Sequence, residues 1–153
     1  MERIEFYRTS DDHGCFSNFA AYPIELDGKV WPTSEHYFQA QKFEDEAHAE
    51  AIRNANSPMI AARMGRDRGK KLRPDWEQVK DDVMRKAVRA KFTQHGDIRK
   101  ILLETGNAHL IEHTNNDSYW ADGGDGRGRN MLGQILMQVR DEIRQQKGSD
   151  PSI

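Results

Sequence analysis

Pro23-Ile24-Glu25-Leu26-Asp27-Gly28-Lys29-Val30-Trp31-Pro32-Thr33-Ser34-Glu35-His36-Tyr37-Phe38-Gln39-Ala40-Gln41-Lys42-Phe43 is the stretch on which the fold turns. Asp27-Gly28 separates two short runs of alternating apolar character, the strongest short-range signal for a β-hairpin. Pro32 lacks a backbone donor and stops the second strand. Thr33 then offers a hydroxyl to cap a helix running through Ser34 to Phe43. Hairpin and helix together place a small amount of sheet at the N-terminal side of the chain.

Outward from there the pattern is mostly helical. Glu46 to Asn54 reads as a second helix. Ser57-Pro58 reads as cap and first position of a third, ending near Met64 in the basic segment Arg66 to Lys71. Pro74 opens a longer helix whose stripe is Trp76, Val79, Val83, Ala87, Ala90 and Lys91. Asp97 to Glu104 forms another, closed by Gly106, and Met131 to Arg144 the last, with Leu132, Ile135, Leu136, Val139 and Ile143 on its apolar face. Ile4 to Tyr7 and His109 to Thr114 read as short strands. The expectation is a mainly α (α+β) single domain over residues 1–146, with about six helices, a small N-terminal hairpin or sheet and a disordered tail at 147–153.

The totals fit this size. The chain has 153 residues, enough for one core. A formal net charge of -2 argues against a dedicated nucleic-acid binder, whose footprint is a basic excess. Cys15 is the only cysteine, so no intrachain disulfide forms. The start Met1-Glu2-Arg3-Ile4-Glu5 lacks a signal-peptide apolar run, and no stretch is long and apolar enough to span a bilayer. These features predict a soluble, cytoplasmic protein.

Two places carry candidate chemistry. Glu35, Gln39 and Lys42 fall at i, i+4 and i+7 and share one helix face, with Tyr37, Phe38 and Phe43 beside them. The plainer reading is a first-turn carboxylate favoured by the helix dipole. The second place is the loop Asn115 to Asn130, whose four glycines and two arginines precede a helix and suit an anion. Trp120 in that loop suits stacking on a flat heterocycle, or folds back into the core. His109-Leu110-Ile111-Glu112-His113 spells H-x-x-E-H, but its segment reads as a strand, so no metal site is expected. Arg63 to Arg73 reads as a solvated basic face, open to the phosphate of a small substrate. Asn18 is either a turn residue or a contact to a substrate amide.

Composition and spacing stop there. Phe16-Ser17-Asn18-Phe19, Trp31 through Phe43, and Tyr119-Trp120-Ala121-Asp122-Gly123-Gly124 with Asn130 and Leu132-Gly133 resemble the YbiA-like proteins of the NADAR (NAD and ADP-ribose) superfamily. The resemblance runs from about Ile4 to about Arg144. It implies an N-glycosidase that cleaves ribosylaminopyrimidine phosphates of early riboflavin biosynthesis to ribose 5-phosphate and free aminopyrimidine, without cofactor. The purpose would be removal of reactive intermediates.

The functional glutamate of that family falls on Glu35, and its tryptophan and aspartates on Trp120, Asp117 and Asp122. The site then expected has Glu35, Asp122 and Lys42 as catalytic residues. Trp120, Asp117, Asn18, Tyr37, Gly123, Arg63 and Lys91 would bind a small phosphoribosyl-pyrimidine, with Arg66 and Arg127 as further phosphate candidates. Glu35 would act as an anion in direct hydrolysis, or would shuttle protons for a Lys42 Schiff base. One departure stands out: Ala121 occupies the position where the family usually has glycine. ADP-ribosyl hydrolysis and plain nucleotide binding are the alternative functions.

Overall fold

The structure is a computed structural model that describes residues 2–149, with side chains to residue 146. Its elements in order are β1 (Arg3–Phe6), a 3-10 turn (Gly14–Phe16), β2 (Ile24–Leu26), β3 (Lys29–Trp31), α1 (Ser34–Ala40), α2 (Glu46–Arg53), α3 (Pro58–Gly65), α4 (Trp76–Gln94), α5 (Gly96–Glu104), β4 (His109–Glu112) and α6 (Met131–Ser149). The mainly helical α+β class and the six helices agree with the sequence reading. Among the described residues no helix is long and apolar enough to cross a membrane. The chain divides into two compact units, residues 18–91 and residues 2–17 with 92–149. The expected tail overlaps α6 as far as Ser149, and 150–153 lie outside the described residues.

In the unit 18–91, β2 and β3 pair antiparallel with Leu26 opposite Lys29. Asp27 (φ 55°) and Gly28 (φ 78°) form the turn between them. Both positive angles match the right-handed strand twist, which is why Asp-Gly is favoured there. Its core gathers Ile24, Trp31, Tyr37, Phe43, Ile52 and Ala87. Ser57 caps α3 through Ile60 N–H at 3.1 Å, and Asp45 caps α2 through Ala47 and His48 N–H at 3.0 and 3.2 Å.

The other unit is built on a strand pair that local patterning does not announce. β1 pairs parallel with β4, Arg3 opposite His109 and Phe6 opposite Glu112. Parallel pairing needs a crossover, and here the partners lie about a hundred residues apart. The sheet at the N-terminus is thus completed from the C-terminal half. Phe16 stands between Phe6 and Phe92, at centroid distances of 5.7 and 5.9 Å, and α6 packs along β4.

Candidate functional site

The start of α1 is held by two brackets. Thr33 Oγ1 accepts the His36 N–H at 3.1 Å and lies 2.8 Å from His36 Nδ1. His36 Nε2–H then donates to Ala55 O at 3.0 Å. Burial holds the His36 pKa below the ordinary histidine value, against the bond to Ala55, which raises it. The second bracket is Asn18, whose carbonyl accepts the Glu35 N–H at 3.2 Å and whose Oδ1 accepts the Ser34 hydroxyl at 2.8 Å. Its Nδ2 points to Met84 Sδ at 3.3 Å. Asn18, expected as a turn residue or a substrate contact, supports the helix start, with its amide bonded to Ser34 and Met84.

On the face so positioned, Glu35 is only 7% exposed, and its Oε1 accepts Gln39 Nε2–H at 3.4 Å. Lys42 is half-buried, with its ammonium 5.6 Å from the Phe38 ring centroid. Burial pushes its pKa below the usual lysine value. The charge of Glu35 opposes this, while Arg66 and Lys80 reinforce it. The expected helix through Phe43 stops at Ala40, so Glu35 and Gln39 share the face of α1 while Lys42 stands in the turn just beyond it. A carboxylate and an amine of lowered pKa in this short stretch offer a proton acceptor and a nitrogen nucleophile.

Two expected ligand residues lie in the interior instead. Tyr37 packs edge-on against Trp31 at 5.2 Å, and its hydroxyl donates to Asp27 Oδ2 at 2.9 Å. Burial and that bond push its pKa up to about 12. Lys91 is 1% exposed, with its ammonium 5.8 Å from the Tyr22 ring centroid, so it offers no surface to an external phosphate. Arg63 is exposed, and among the described residues its guanidinium reaches Met59 Sδ, at 3.4 Å. In the same stretch Lys70 and Arg73 pair with Asp45 and Asp75. Arg66 has no carboxylate partner among the described residues.

The glycine-rich loop belongs to the other unit and is built differently. Asp117 Oδ1 accepts the N–H groups of Tyr119 and Trp120, both at 2.8 Å, and its carbonyl accepts Gly123 N–H at 3.0 Å. Asp122 is 4% exposed; its Oδ1 accepts Thr114 and Gly124 N–H at 3.1 and 2.9 Å, and its Oδ2 meets His113 Nδ1 at 2.7 Å. Burial pushes the Asp122 carboxyl up, but the bonds from His113, Gly124 and Thr114 together hold it below the usual carboxylate range. The same contact raises the pKa of His113. Gly123 and Gly124 sit at φ 75° and 83°, and a side chain on Gly124 would strike Asn115. Trp120 is half-buried against Tyr119, at 4.9 Å. Arg127 is 90% exposed, 4.0 Å from Asp125.

His113 is the residue the sequence reading missed. It entered only as the last letter of the zinc-like spelling, yet His109 to Glu112 is a strand, and His113 serves Asp122. Glu5, 3.2 Å from His113 on its other side, completes a group whose three ligand atoms lie within 4.8 Å of one another. Ion pairing accounts for this cluster, since His113 Nδ1 lies within hydrogen-bond distance of both carboxylates.

The sequence matches the NADAR domain over residues 5–144. It is 63% identical to "N-glycosidase YbiA" of Escherichia coli over 94% of this chain and 90% of that protein. It is 44% identical to "Riboflavin biosynthesis protein VVA0006" of Vibrio vulnificus, over 93% of this chain and 39% of that longer protein. The solved NMR structure of the E. coli protein YbiA superposes with a TM-score of 0.91 at 61% identity, covering 97% of this chain and 89% of the other. A domain match spanning nearly every element, joined to this identity and this fold, settles the affiliation: the chain belongs to the NADAR family and is an enzyme of its N-glycosidase type, a hydrolase of N-glycosyl compounds.

Proposed function

We propose that this N-glycosidase cleaves the C1–N bond of ribosylaminopyrimidine phosphates, releasing ribose 5-phosphate and the free aminopyrimidine. The observation that carries the reading is the pairing of buried Glu35 with Lys42, whose amine is depressed below the usual lysine pKa. Such substrates are aminals, so C1 is open to attack by an uncharged amine. In the first step Lys42 Nζ bonds to C1 and the C1–N bond to the pyrimidine amine breaks. The departing nitrogen takes a proton, relayed by Glu35. The C1–O4 ring bond then opens, O4 taking a proton by way of Glu35, and the Nζ lone pair makes C1 an iminium carbon. Water adds to that carbon, the C1–Nζ bond breaks, and the sugar leaves with Lys42 restored.

Direct attack by water, with Glu35 as base, needs no lowered lysine pKa, and the lysine route uses that feature. A relative named for riboflavin biosynthesis supports the substrate class. For the phosphate, Arg66 is the favoured anchor, because it acts electrostatically on Lys42 and lacks a carboxylate partner among the described residues.

The test is to incubate the protein with a ribosylaminopyrimidine phosphate, assay the free base, and add borohydride during turnover. Base release with a reduced adduct on Lys42 is expected. Release without any adduct removes the lysine route. Release only from ADP-ribosylated guanosine moves the substrate to the ADP-ribosyl class.

A further inference from the structure

Gln39 is 7% exposed and stands one helical turn after Glu35. Its Nε2–H reaches Glu35 Oε1 at 3.4 Å, a long bond of the kind that tightens when a substrate engages the site. Its carbonyl Oε1 is buried with no hydrogen-bond partner among the described residues. A helical i, i+4 side-chain pair contributes less stability than an unmet buried carbonyl costs. On stability grounds alone an apolar residue would serve better here, as Tyr37, Phe38 and Ala40 do at neighbouring buried positions.

The space around the amide is equally specific. A Cβ on Gly65, at the end of α3, would lie 1.9 Å from Gln39 Oε1 and 2.7 Å from its Cδ. Gln39 thus fills a place that only a glycine leaves open. Held there, the amide has two orientations. One aims its N–H groups at Glu35; the other sets a carbonyl against a carboxylate, two acceptors facing each other. The orientation present is the one that complements an ionised Glu35.

We propose that Gln39 is a positioning residue for the reaction: its amide fixes the Glu35 carboxylate as an accepting anion, and Gly65 is glycine because that amide must fit beside it. This rests on the assignment of Glu35 as the reacting carboxylate. Gln39 itself touches no reacting atom.

The experiment compares Glu35→Gln, Gln39→Met, Gln39→Ala, Gly65→Ala and the Gly65→Ala/Gln39→Ala double variant, using base release from a ribosylaminopyrimidine phosphate and thermal melting. Gln39→Met removes the amide at similar volume. It is expected to lower kcat about tenfold to a hundredfold with KM within about twofold, while Tm stays equal or rises. Gly65→Ala keeps the amide but displaces it, so its kcat should fall comparably. The double variant should lose no more than Gln39→Ala alone, since the obstructing group is gone.

Unchanged kcat in Gln39→Met overturns the proposal. So does a lowered Tm in that variant, which would make the amide ordinary structural glue. The melting result does not depend on which substrate the enzyme takes. Additive losses in the double variant overturn the role given to Gly65. Should Glu35→Gln keep full activity, the assignment of Glu35 fails first; an inactive Glu35→Gln beside a fully active Gln39→Met sinks only the positioning role.

Discussion

The face of α1 and the loop 113–130 each contain a buried carboxylate, yet the two have been built to opposite ends. Asp122 accepts from His113, Thr114 and Gly124, and Asp117 from Tyr119 and Trp120, so each uses one carboxylate oxygen to hold two backbone N–H groups, and Asp122 gives the other to His113. At α1 and the turn after it, the Gln39 carbonyl is unmet among the described residues, its amide donates a long bond to Glu35, and burial lowers the Lys42 pKa. A saturated network stabilises and specifies shape; a strained or under-satisfied one is where chemistry concentrates. The difference is consistent with the proposed placing of chemistry at Glu35 and Lys42, and it shows the loop aspartates engaged in holding the loop's shape.

Substitutions separate the two regions. The largest effect should come from Glu35→Gln, with base release falling at least about a hundredfold and circular dichroism unchanged. A folded, active Glu35→Gln enzyme would erase the contrast. Lys42→Arg comes next. An arginine cannot become a neutral nucleophile, so a loss of similar order is expected and no borohydride adduct should form. In the native enzyme kcat should rise with pH through the Lys42 pKa, at lower pH than an ordinary lysine would set, and residual turnover in Lys42→Arg should lack that limb. A Lys42→Arg enzyme retaining the rise would assign it to another group.

Asp122→Asn tests the other side of the comparison. It should cost about 1–3 kcal/mol of stability, read by denaturant titration, because a buried acceptor of three bonds is disturbed. Its activity should fall no further than the loop unfolds. The pH signs are opposed for this pair. Asp122 has a depressed pKa, so its contribution is present above the unfolded carboxylate value and is lost as pH falls through the folded one. His113 has a raised pKa, so its contribution is present below the unfolded histidine value and is lost as pH climbs through the folded one. The pair should therefore stabilise most between those ranges, and Asp122→Asn should flatten both flanks. The smallest effect is expected for Trp120→Ala, a rise of about threefold to tenfold in KM from a lost stacking surface, with kcat nearly unchanged. A collapse of kcat there would move chemistry into the loop.

Much of the local structure was legible because short-range rules apply. Asp27-Gly28, the Thr33 and Ser57 caps and the apolar stripe of α6 each act within a few residues. The shared face of Glu35 and Gln39 was visible for the same reason, whereas Lys42, expected on the same helix, falls in the turn after Ala40. Tyr37 and Lys91 were misplaced because burial depends on which neighbours close over a side chain. Both residue types serve in binding sites elsewhere, and here Tyr37 meets Asp27 while Lys91 is enclosed. Asn18 was ambiguous until its partners Ser34 and Met84, 16 and 66 residues away, were known. His113 stayed hidden inside a misleading zinc-like spelling.

By itself, then, the sequence determined the helices, the hairpin and the family resemblance, since propensity, periodicity and spacing are local properties. Tertiary structure decided which residues are buried, which are exposed and which have their polar atoms occupied. It paired β1 with β4 and set Gly65 against the Gln39 amide. It also lowered the Lys42 pKa by burial and spent Asp122 on backbone and His113. Desolvation and hydrogen-bond satisfaction are sums over everything packed around a group, and that surrounding exists only once distant segments meet.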